Sequence, residues 1–466
     1  MKARAPYLME AIMTFAVLIF VMGIGIAVFG ADPHIPMLIG TAIAAVMALR
    51  LGHKWAEVEQ FMFDGIHQAL QAIIILAIIG VLIGVWILSG VVPTMIYYGL
   101  GILSPKIFLV AAVLISSVTS LATGTSWGTA GTIGIALMGI SQGMGIPAPI
   151  AAGAIISGAY FGDKMSPLSD TTNLAPAMAG TDVFTHIKFM LKPTAIAYGI
   201  ALAVFGFVGF RFSGTEMDVT TIETMRTGLA NAFTISPILL LPPVAVIVLI
   251  SKKMPAIPGI FIGIVLGAVL GPIFQSASFG DILSVSYGGY VSATGVESID
   301  SLLSSGGLMN MMYSISLTII AMMFGGIMEK TGQLDVIVER LLRLVKSTPG
   351  LISMTIMTCI GSNMTMPEQY ISIVVPGRMY AKAYKDRNLH PKTLSNALES
   401  SGTLTSALIP WNTCGVFLMG VLGVPTMQYA PWAIFNYMMP IVVILLSFVG
   451  VTVAKLNPEE KLENIA

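Results

Sequence analysis

The chain has 466 residues, of which 56% are hydrophobic and only 10% carry a charge. Soluble domains usually contain about 25% charged residues, so this composition excludes a water-soluble protein and indicates an integral membrane protein surrounded by lipid. Lysine and arginine together number 23, as do aspartate and glutamate, which leaves no basic surplus for binding nucleic acid. The chain also lacks a Gly-x-x-x-x-Gly-Lys-Ser/Thr phosphate loop, so it does not itself use ATP.

The first predicted element is an apolar run at 11–30. A run of about 20 residues crosses a bilayer, whereas the apolar part of a signal peptide has only about 7–15, so we interpret this run as a retained helix. Similar runs recur along the chain. Weaker segments, which proline or glycine interrupts and which are either re-entrant hairpins or full crossings, lie at 124–128, 163–180, 367–377 and 394–425. The pattern predicts an all-α polytopic membrane protein, a single transporter domain over 1–466 with broken helices and about 11–14 membrane segments.

The distribution of basic residues predicts the orientation in the membrane, because cytoplasmic loops carry an excess of lysine and arginine. The loop at 378–392 is the most basic of the chain, whereas the loop at 276–308 contains acidic residues and neither lysine nor arginine. The first loop is therefore predicted to lie in the cytoplasm and the second outside the cell. This orientation places both termini in the cytoplasm.

The chain resembles itself when it is shifted by about 240 residues, which predicts an internal repeat. The first repeat covers about 70–180 and the second about 309–425. The helix at 70–89 leaves a basic loop and the helix at 309–328 leaves the acidic loop, so the repeats are predicted to have inverted topology, as in many secondary transporters. Chance similarity between glycine-rich apolar segments is the alternative. The matched positions are Ser157 with Ser400, Asp163 with Ser406, Pro167 with Pro410 and Asp170 with Thr413.

A polar stretch at 157–176 lies within apolar sequence, and two aspartates in it flank Pro167. Proline supplies no N–H to a helix, so Pro167 is predicted to break the helix and to free the carbonyl of Asp163. At membrane depth, irregular backbone faces protein or a watery cavity, and oxygen ligands suit a small hard cation. The predicted ligands are Asp163, Asp170, Ser166, Ser169, Thr171, Thr172 and Asn173 from the first repeat and Ser406, Asn412 and Thr413 from the second.

Ionisable side chains near the breaks are candidates for coupling to protons. An ionised group at the bilayer centre costs at least about 2.5–3.5 kcal/mol, so each of them needs a partner or a function. The proton-coupling candidates are Asp163, Asp170, Glu368 and Glu399. The structural alternative is that Asp163 pairs with a lysine, Asp170 caps a half-helix and the glutamates lie at the interface. For Lys164 we favour a side chain that extends to water over a counter-charge in the site.

The run at 158–175, Gly-Ala-Tyr-Phe-Gly-Asp-Lys-Met-Ser-Pro-Leu-Ser-Asp-Thr-Thr-Asn-Leu-Ala, resembles the signature of the NhaC-type sodium/proton antiporter family. The runs Thr125-Ser-Trp-Gly-Thr and Pro410-Trp-Asn-Thr fit the same family. This resemblance covers nearly the whole chain and implies the wider ion-transporter superfamily, a bacterial or archaeal plasma membrane and exchange of internal Na⁺ for external H⁺ without a cofactor. It also implies a homodimer, since members of the superfamily often form dimers.

The sequence therefore predicts a Na⁺/H⁺ antiporter, with Li⁺ as a second cation, in which protonation of the carboxylates removes the charge that holds sodium. The family also includes malate/lactate exchangers, so a sodium- and proton-coupled carboxylate exchanger is the alternative. An organic anion needs a cationic group at its site, for which Lys164 and Arg378 are available. A third hypothesis is an intramembrane hydrolase with Asp163 and Asp170 as a catalytic pair. The absence of aspartate at the matched positions of the second repeat disfavours it.

Overall fold

The computed structural model describes residues 3–212, 219–342, 345 and 347–456. Helices account for most of these residues, and their one isolated β-bridge joins Leu389 and Lys455. The predicted all-α fold is thereby confirmed. The ends of the chain, 1–2 and 457–466, lie outside the described residues, so the cytoplasmic placement of the termini stays a prediction.

The helices follow one another with short connections. The first twelve are α1 Leu8–Ala27, α2 His34–Arg50, α3 Trp55–Gln68, α4 Leu70–Leu88, α5 Val91–Ile102, α6 Pro105–Thr123, α7 Ser126–Thr129, α8 Ile135–Gly143, α9 Ala148–Met165, α10 Asp170–Ala179, α11 Val183–Arg211 and α12 Val219–Ala232. The others are α13 Leu241–Ser251, α14 Ala256–Gln275, α15 Phe279–Gly288, α16 Glu297–Leu303, α17 Leu308–Lys330, α18 Gln333–Leu342, α19 Thr348–Thr365, α20 Ile371–Asp386, α21 Pro391–Leu398, α22 Leu404–Ser406, α23 Thr413–Leu422, α24 Thr426–Tyr429 and α25 Ile434–Phe448. The π-helical turns Ala130–Gly134 and Glu399–Thr403 and the 3₁₀ turns Pro237–Leu240 and Ala430–Trp432 join neighbouring helices.

Six of the described helices are long and apolar enough to cross a membrane, or up to eight spans if each of two bent helix pairs counts as one. The bent pairs are Ile222–Ala232 with Pro237–Ser251, at 100°, and Thr413–Leu422 with Thr426–Trp432, at 89°. These sharp bends confirm the predicted broken helices. The count is lower than the predicted number of membrane segments in part because some apolar runs form helices shorter than 18 residues, such as His34–Arg50 and Ile434–Phe448.

Two interruptions of the helices are central to the architecture. The first break, residues 166–169, separates α9 from α10, and the second break, residues 407–412, separates α22 from α23. Each break contains the proline that the sequence places there. The helices that follow begin at Asp170 and Thr413, the two positions that the proposed repeat matches to each other. The helix boundaries are compatible with the repeat, which itself stays a prediction.

Glycines allow α6 and α9 to pack backbone against backbone. A Cβ atom at Gly158 would collide with the carbonyl oxygen of Val113, and one at Gly162 with that of Ser117. Small residues permit such close approach between membrane helices. Because the contacts advance in the same direction along both helices, α6 and α9 run parallel. Their C-terminal ends therefore lie side by side, which brings the turn after α6 next to the first break.

The helices α19 and α20 form an antiparallel hairpin. The hydroxyl of Tyr380 lies 2.7 Å from that of Thr358, and one turn further along, the hydroxyl of Tyr384 lies 3.0 Å from that of Thr355. Because the residue numbers of the contacts rise along α20 while they fall along α19, the two helices run in opposite directions. The turn between them, residues 366–370, forms the tip of this hairpin.

Candidate functional site

A cavity of about 600 Å³ lies where the first break meets the turn between α6 and α7 and the tip of the hairpin of α19 and α20. Its walls come from the turn between α6 and α7, the first break, the turn between α19 and α20, the start of α4 and the loop between α13 and α14. Three carboxyl groups belong to its lining, those of Asp163, Asp170 and Glu368, while Lys253 is the one basic residue among the described residues that line it. The cavity is therefore chemically suited to a cation.

Asp163, in the last turn of α9, is only 5% exposed. Its Oδ2 accepts hydrogen bonds from the backbone N–H of Ser126 at 3.2 Å and from the Ser126 hydroxyl at 2.7 Å. A sharp turn after α6 presents Ser126: Gly124 adopts a φ of 69°, which costs glycine little, and Thr125 caps the new helix by accepting from the N–H of Gly128 at 3.1 Å. The sequence predicts an interrupted segment at 124–128, but reasoning from the sequence missed Ser126 as the partner of Asp163.

The first break does not leave the carbonyl oxygen of Asp163 free, so that expectation was wrong. The oxygen accepts from the N–H of Ser166 at 3.1 Å and from the hydroxyl of Thr172 at 3.0 Å. Pro167 removes the normal helical donor, but the Thr172 hydroxyl, carried by α10, replaces it. The same hydroxyl also lies 3.1 Å from the carbonyl oxygen of Lys164. Thr172 therefore holds the two half-helices together across the break.

Most of the first-repeat candidates lie at the cavity. Those that line it are Asp163, Ser169, Asp170, Thr171 and Asn173. Ser166 and Thr172 are buried behind them, and the hydroxyl of Ser166 donates to the carbonyl of Leu121 at 2.8 Å. Asp170 is exposed to the cavity. It accepts a long hydrogen bond of 3.5 Å from the hydroxyl of Tyr370, at the tip of the hairpin of α19 and α20.

The second-repeat candidates Ser406, Asn412 and Thr413 are buried and do not line the cavity. The amide nitrogen of Asn412 donates to the backbone and side-chain oxygens of Asn363, both at 3.1 Å, and its side-chain oxygen caps α23 by accepting from the N–H of Cys414 at 3.1 Å. The Thr413 hydroxyl has no hydrogen-bond partner among the described residues. In this conformation the second break is a closed cluster of neutral groups, and a ligand role for these three residues stays a prediction.

The interpretation of Lys164 as a side chain that reaches water was wrong. Its side chain is fully buried, and its Nζ donates to the hydroxyl of Ser400 at 3.0 Å and to Sδ of Met190 at 3.1 Å. Successive helical residues point in directions about 100° apart, so Lys164 leaves α9 towards α11 and the π-helical turn while Asp163 faces the cavity. The sequence therefore indicates that Lys164 and Asp163 face different sides, but it does not indicate that Lys164 is buried.

The two candidate glutamates have different environments. Glu368, at 5% exposed, lines the cavity, and its Oε2 accepts from the N–H groups of Tyr370 at 2.6 Å and Ile371 at 3.2 Å, so it also caps α20. Glu399 is fully buried behind the cavity, where its Oε1 accepts from the hydroxyl of Thr171 at 3.3 Å. Neither lies at an exposed membrane interface.

The donors around the cavity are suited to holding a hard cation rather than to covalent chemistry. Among the described residues, no group of three or more His, Cys, Asp or Glu could hold a metal ion. A cation there would depend on one or two carboxylates together with hydroxyl, amide and carbonyl oxygens, which are the ligands that hard cations take. Asp163 and Asp170 have separate partners, Ser126 and Tyr370, and thus show no shared-proton arrangement of a catalytic pair.

Comparison with known proteins identifies the family. The model of the Na⁺/H⁺ antiporter family matches residues 158–451. The Na⁺/H⁺ antiporter NhaC of Alkalihalophilus pseudofirmus is 40% identical over 93% of each chain. The malate-2H⁺/Na⁺-lactate antiporter of Bacillus subtilis is 39% identical over 92% of each chain. The arginine/ornithine antiporter ArcD of Halobacterium salinarum is 37% identical over 99% of this chain and 96% of its own.

The names of these relatives give different cargoes, although their sequence identities to this chain are nearly equal. Sequence similarity alone therefore does not fix the cargo of this chain. They are all antiporters, which excludes the hydrolase hypothesis: the protein is a transporter and not an enzyme. The matched region contains both breaks and the hairpin of α19 and α20. The chain therefore belongs to the Na⁺/H⁺ antiporter family.

Proposed function

We propose that this protein exchanges Na⁺ for H⁺ across a membrane and that Asp163 is the carboxylate at which the two ions compete. The observation that carries the proposal is the buried carboxylate of Asp163 at the wall of a cavity rich in oxygen donors. It accepts two hydrogen bonds from Ser126, which hold it in place, and it comes from a broken helix, as ion sites of secondary transporters do.

Competition for one carboxylate is sufficient to couple the two ions. A deprotonated Asp163 attracts Na⁺, and a protonated one has lost the charge that does so. If the carrier switches the side to which it opens only when one of the two ions is bound, it exchanges Na⁺ for H⁺. The apparent affinity for Na⁺ should therefore fall as the pH is lowered, because protons occupy a growing fraction of the sites.

We further propose that the cavity opens to the cytoplasm of a bacterium or archaeon. Lys253 lies in its lining, and the loop that contains this residue is one of the basic loops that the charge rule places inside the cell. To test this orientation, a single cysteine at position 253 is labelled from outside in inverted and in right-side-out vesicles. It should react only in the inverted vesicles, which expose the cytoplasmic side.

The carboxylate lining favours a cationic cargo over malate or lactate. Neither Lys164 nor Arg378, the cations that the sequence offers to an organic anion, is among the described residues that line the cavity, where Lys253 is outnumbered by three carboxyl groups. The same negative lining, in a cavity of about 600 Å³, also has room for a cationic amino acid, and one relative is named for arginine and ornithine. This is the second candidate cargo.

Purified protein in proteoliposomes that contain a pH-sensitive dye tests the proposal. Separate additions of Na⁺, Li⁺, K⁺, malate, lactate, arginine and ornithine show which solute moves protons, with empty liposomes as the control. We expect proton movement on addition of Na⁺ and Li⁺ alone. Flux that requires malate or lactate, or that only arginine and ornithine produce, would contradict the proposal and assign the protein to a different cargo.

A further inference from the structure

Behind the cavity, two opposite charges are fully buried: Lys164 from α9 and Glu399 from the π-helical turn before α22. Neither residue is among those that line the cavity. They come from the two different predicted repeats, so the polypeptide brings together charges that are far apart in the sequence. Buried charges are rare unless they are paired, which makes this pair a feature that needs an explanation.

The two charges are neighbours without a direct ion pair. The ammonium of Lys164 bonds to Ser400, the residue next to Glu399, and no N–O contact within 4 Å joins Lys164 to Glu399 among the described ion pairs. The Oε2 of Glu399 is buried and is without a hydrogen-bond partner within the described part of the chain, while its Oε1 accepts from Thr171. The attraction between the pair is thus long-range, and it acts in a region that water does not screen.

Thr171 connects this buried pair to the cavity. Its hydroxyl donates to Glu399, and it also lies 3.2 Å from the hydroxyl of Ser169, which lines the cavity with Asp163. These contacts define an inner charge cluster of two carboxylates, Asp163 and Glu399, and one ammonium, Lys164. Its fixed charge is −1 when all three groups are ionised, and it would be −2 without the lysine.

We propose that Lys164 sets the valence of the transported cation. It cancels the charge of Glu399, so that Asp163 is the one uncompensated charge of these three groups and the site built on it selects a monovalent cation over a divalent one. This inference rests on the proposed cation transport and adds a specificity-determining residue that does not itself touch the cargo. The lysine acts through the electrostatic potential in the cavity.

The electrostatic origin gives the proposal a quantitative signature. The energy of an ion in a given potential is proportional to its charge. Removal of the ammonium should therefore shift the logarithm of the apparent affinity for a divalent cation twice as far as that for Na⁺. A defect in packing or folding has no reason to produce this ratio.

The test compares five variants in proteoliposomes: Lys164→Gln, Lys164→Arg, Ser400→Ala, Glu399→Gln and the double variant Lys164→Gln/Glu399→Gln. The Na⁺ concentration for half-maximal proton flux and the Ca²⁺ concentration that halves this flux are measured for each. For Lys164→Gln we expect the inhibition constant for Ca²⁺, which is the half-inhibiting concentration corrected for competition by Na⁺, to fall by about tenfold or more, and by the square of the change for Na⁺. The arginine variant keeps the charge, and Ser400→Ala removes the hydrogen bonds to Lys164 and Asn396 without changing any charge, so both should retain the selectivity of the wild type.

The double variant has the same net charge as the wild type and should return to monovalent selectivity. If Lys164→Gln does not fold, Glu399→Gln decides the question, because an uncompensated lysine should weaken Na⁺ binding by about tenfold. Equal shifts for Na⁺ and Ca²⁺ in Lys164→Gln, or unchanged Na⁺ affinity in Glu399→Gln, would overturn the inference while leaving Na⁺/H⁺ exchange by the wild type intact. Absence of cation-driven flux in the wild type would instead refute the proposed function, and this inference with it.

Discussion

The first and second breaks resemble each other in their local construction but differ in chemistry. In each, a helix ends before a proline and a capped half-helix follows: Ser169 caps α10 and Asn412 caps α23. The first break places the carboxylate of Asp163 at an open cavity. The second is closed, and the amides of Asn363 and Asn412 bond to each other within it.

This difference shows that a broken helix does not by itself make an ion site. The interruption frees backbone groups in both places, and in both places nearby groups satisfy them, a side chain at the first break and the backbone at the second. At the first break the hydroxyl of Thr172 takes the carbonyl of Asp163, and at the second the N–H of Ile409 lies 3.4 Å from the carbonyl of Ser406. What distinguishes the first break is an ionisable side chain with access to solvent.

The largest effect is expected from Asp163→Asn, compared with Ser406→Ala at the matched position of the second break. Loss of the carboxylate should lower Na⁺-driven proton flux by about 100-fold or more, since an interaction with a charged group contributes ~1.5–3 kcal/mol and the proton is no longer exchangeable. Ser406→Ala should leave flux within about threefold of wild type, because its hydroxyl donates to the backbone carbonyl of Thr403 and does not line the cavity. Proteoliposome flux at matched protein abundance measures both, and equal losses would contradict the contrast between the breaks.

A smaller effect is expected from Ser126→Ala. This change removes the 2.7 Å hydrogen bond to Asp163 but keeps the backbone N–H bond. The apparent affinity for Na⁺ should fall by about tenfold, with little change in the maximal rate, because the carboxylate loses one of the contacts that position it. Thr125→Ser, which retains the capping hydroxyl, is a control for general damage to this turn. A normal Na⁺ affinity in Ser126→Ala would show that the contact is not needed.

Asp170→Asn should have a milder effect than Asp163→Asn, about two- to fivefold on Na⁺ affinity, because an exposed charge is screened by water and salt. Its carboxylate is exposed and makes a long 3.5 Å contact with Tyr370. High ionic strength should reduce the difference between Asp170→Asn and wild type further. Complete loss of exchange in Asp170→Asn, with exchange retained in Asp163→Asn, would reverse the assignment of the two aspartates.

The smallest effect on Na⁺ affinity is expected from Asn412→Ala, although this variant should be less stable. It loses the cap of α23 and two hydrogen bonds to Asn363, a loss of about 1–3 kcal/mol for a buried polar contact. Thermal denaturation of the purified protein should therefore occur at a lower temperature, while Na⁺ affinity in the folded fraction stays near that of wild type. A large fall in Na⁺ affinity at unchanged stability would instead make Asn412 a ligand.

The sequence predicts the architecture well because composition and proline positions act locally. Charge depletion indicates the membrane, and the breaks occur where Pro167 and Pro410 remove helix donors. Contacts between distant segments are beyond such reasoning. The pairing of Ser126 with Asp163 depends on the parallel packing of α6 and α9, and the burial of Lys164 depends on where α11 and the π-helical turn lie.

The most direct test of the account is the release of protons when Na⁺ is added to the purified protein in weakly buffered detergent solution. This measurement follows binding alone and does not require the transport cycle. The wild type and Ser406→Ala should release protons on addition of Na⁺ but not of K⁺, and Asp163→Asn should release none. Undiminished Na⁺-induced proton release from folded Asp163→Asn would contradict the claim that Na⁺ and H⁺ compete for Asp163 at the first break.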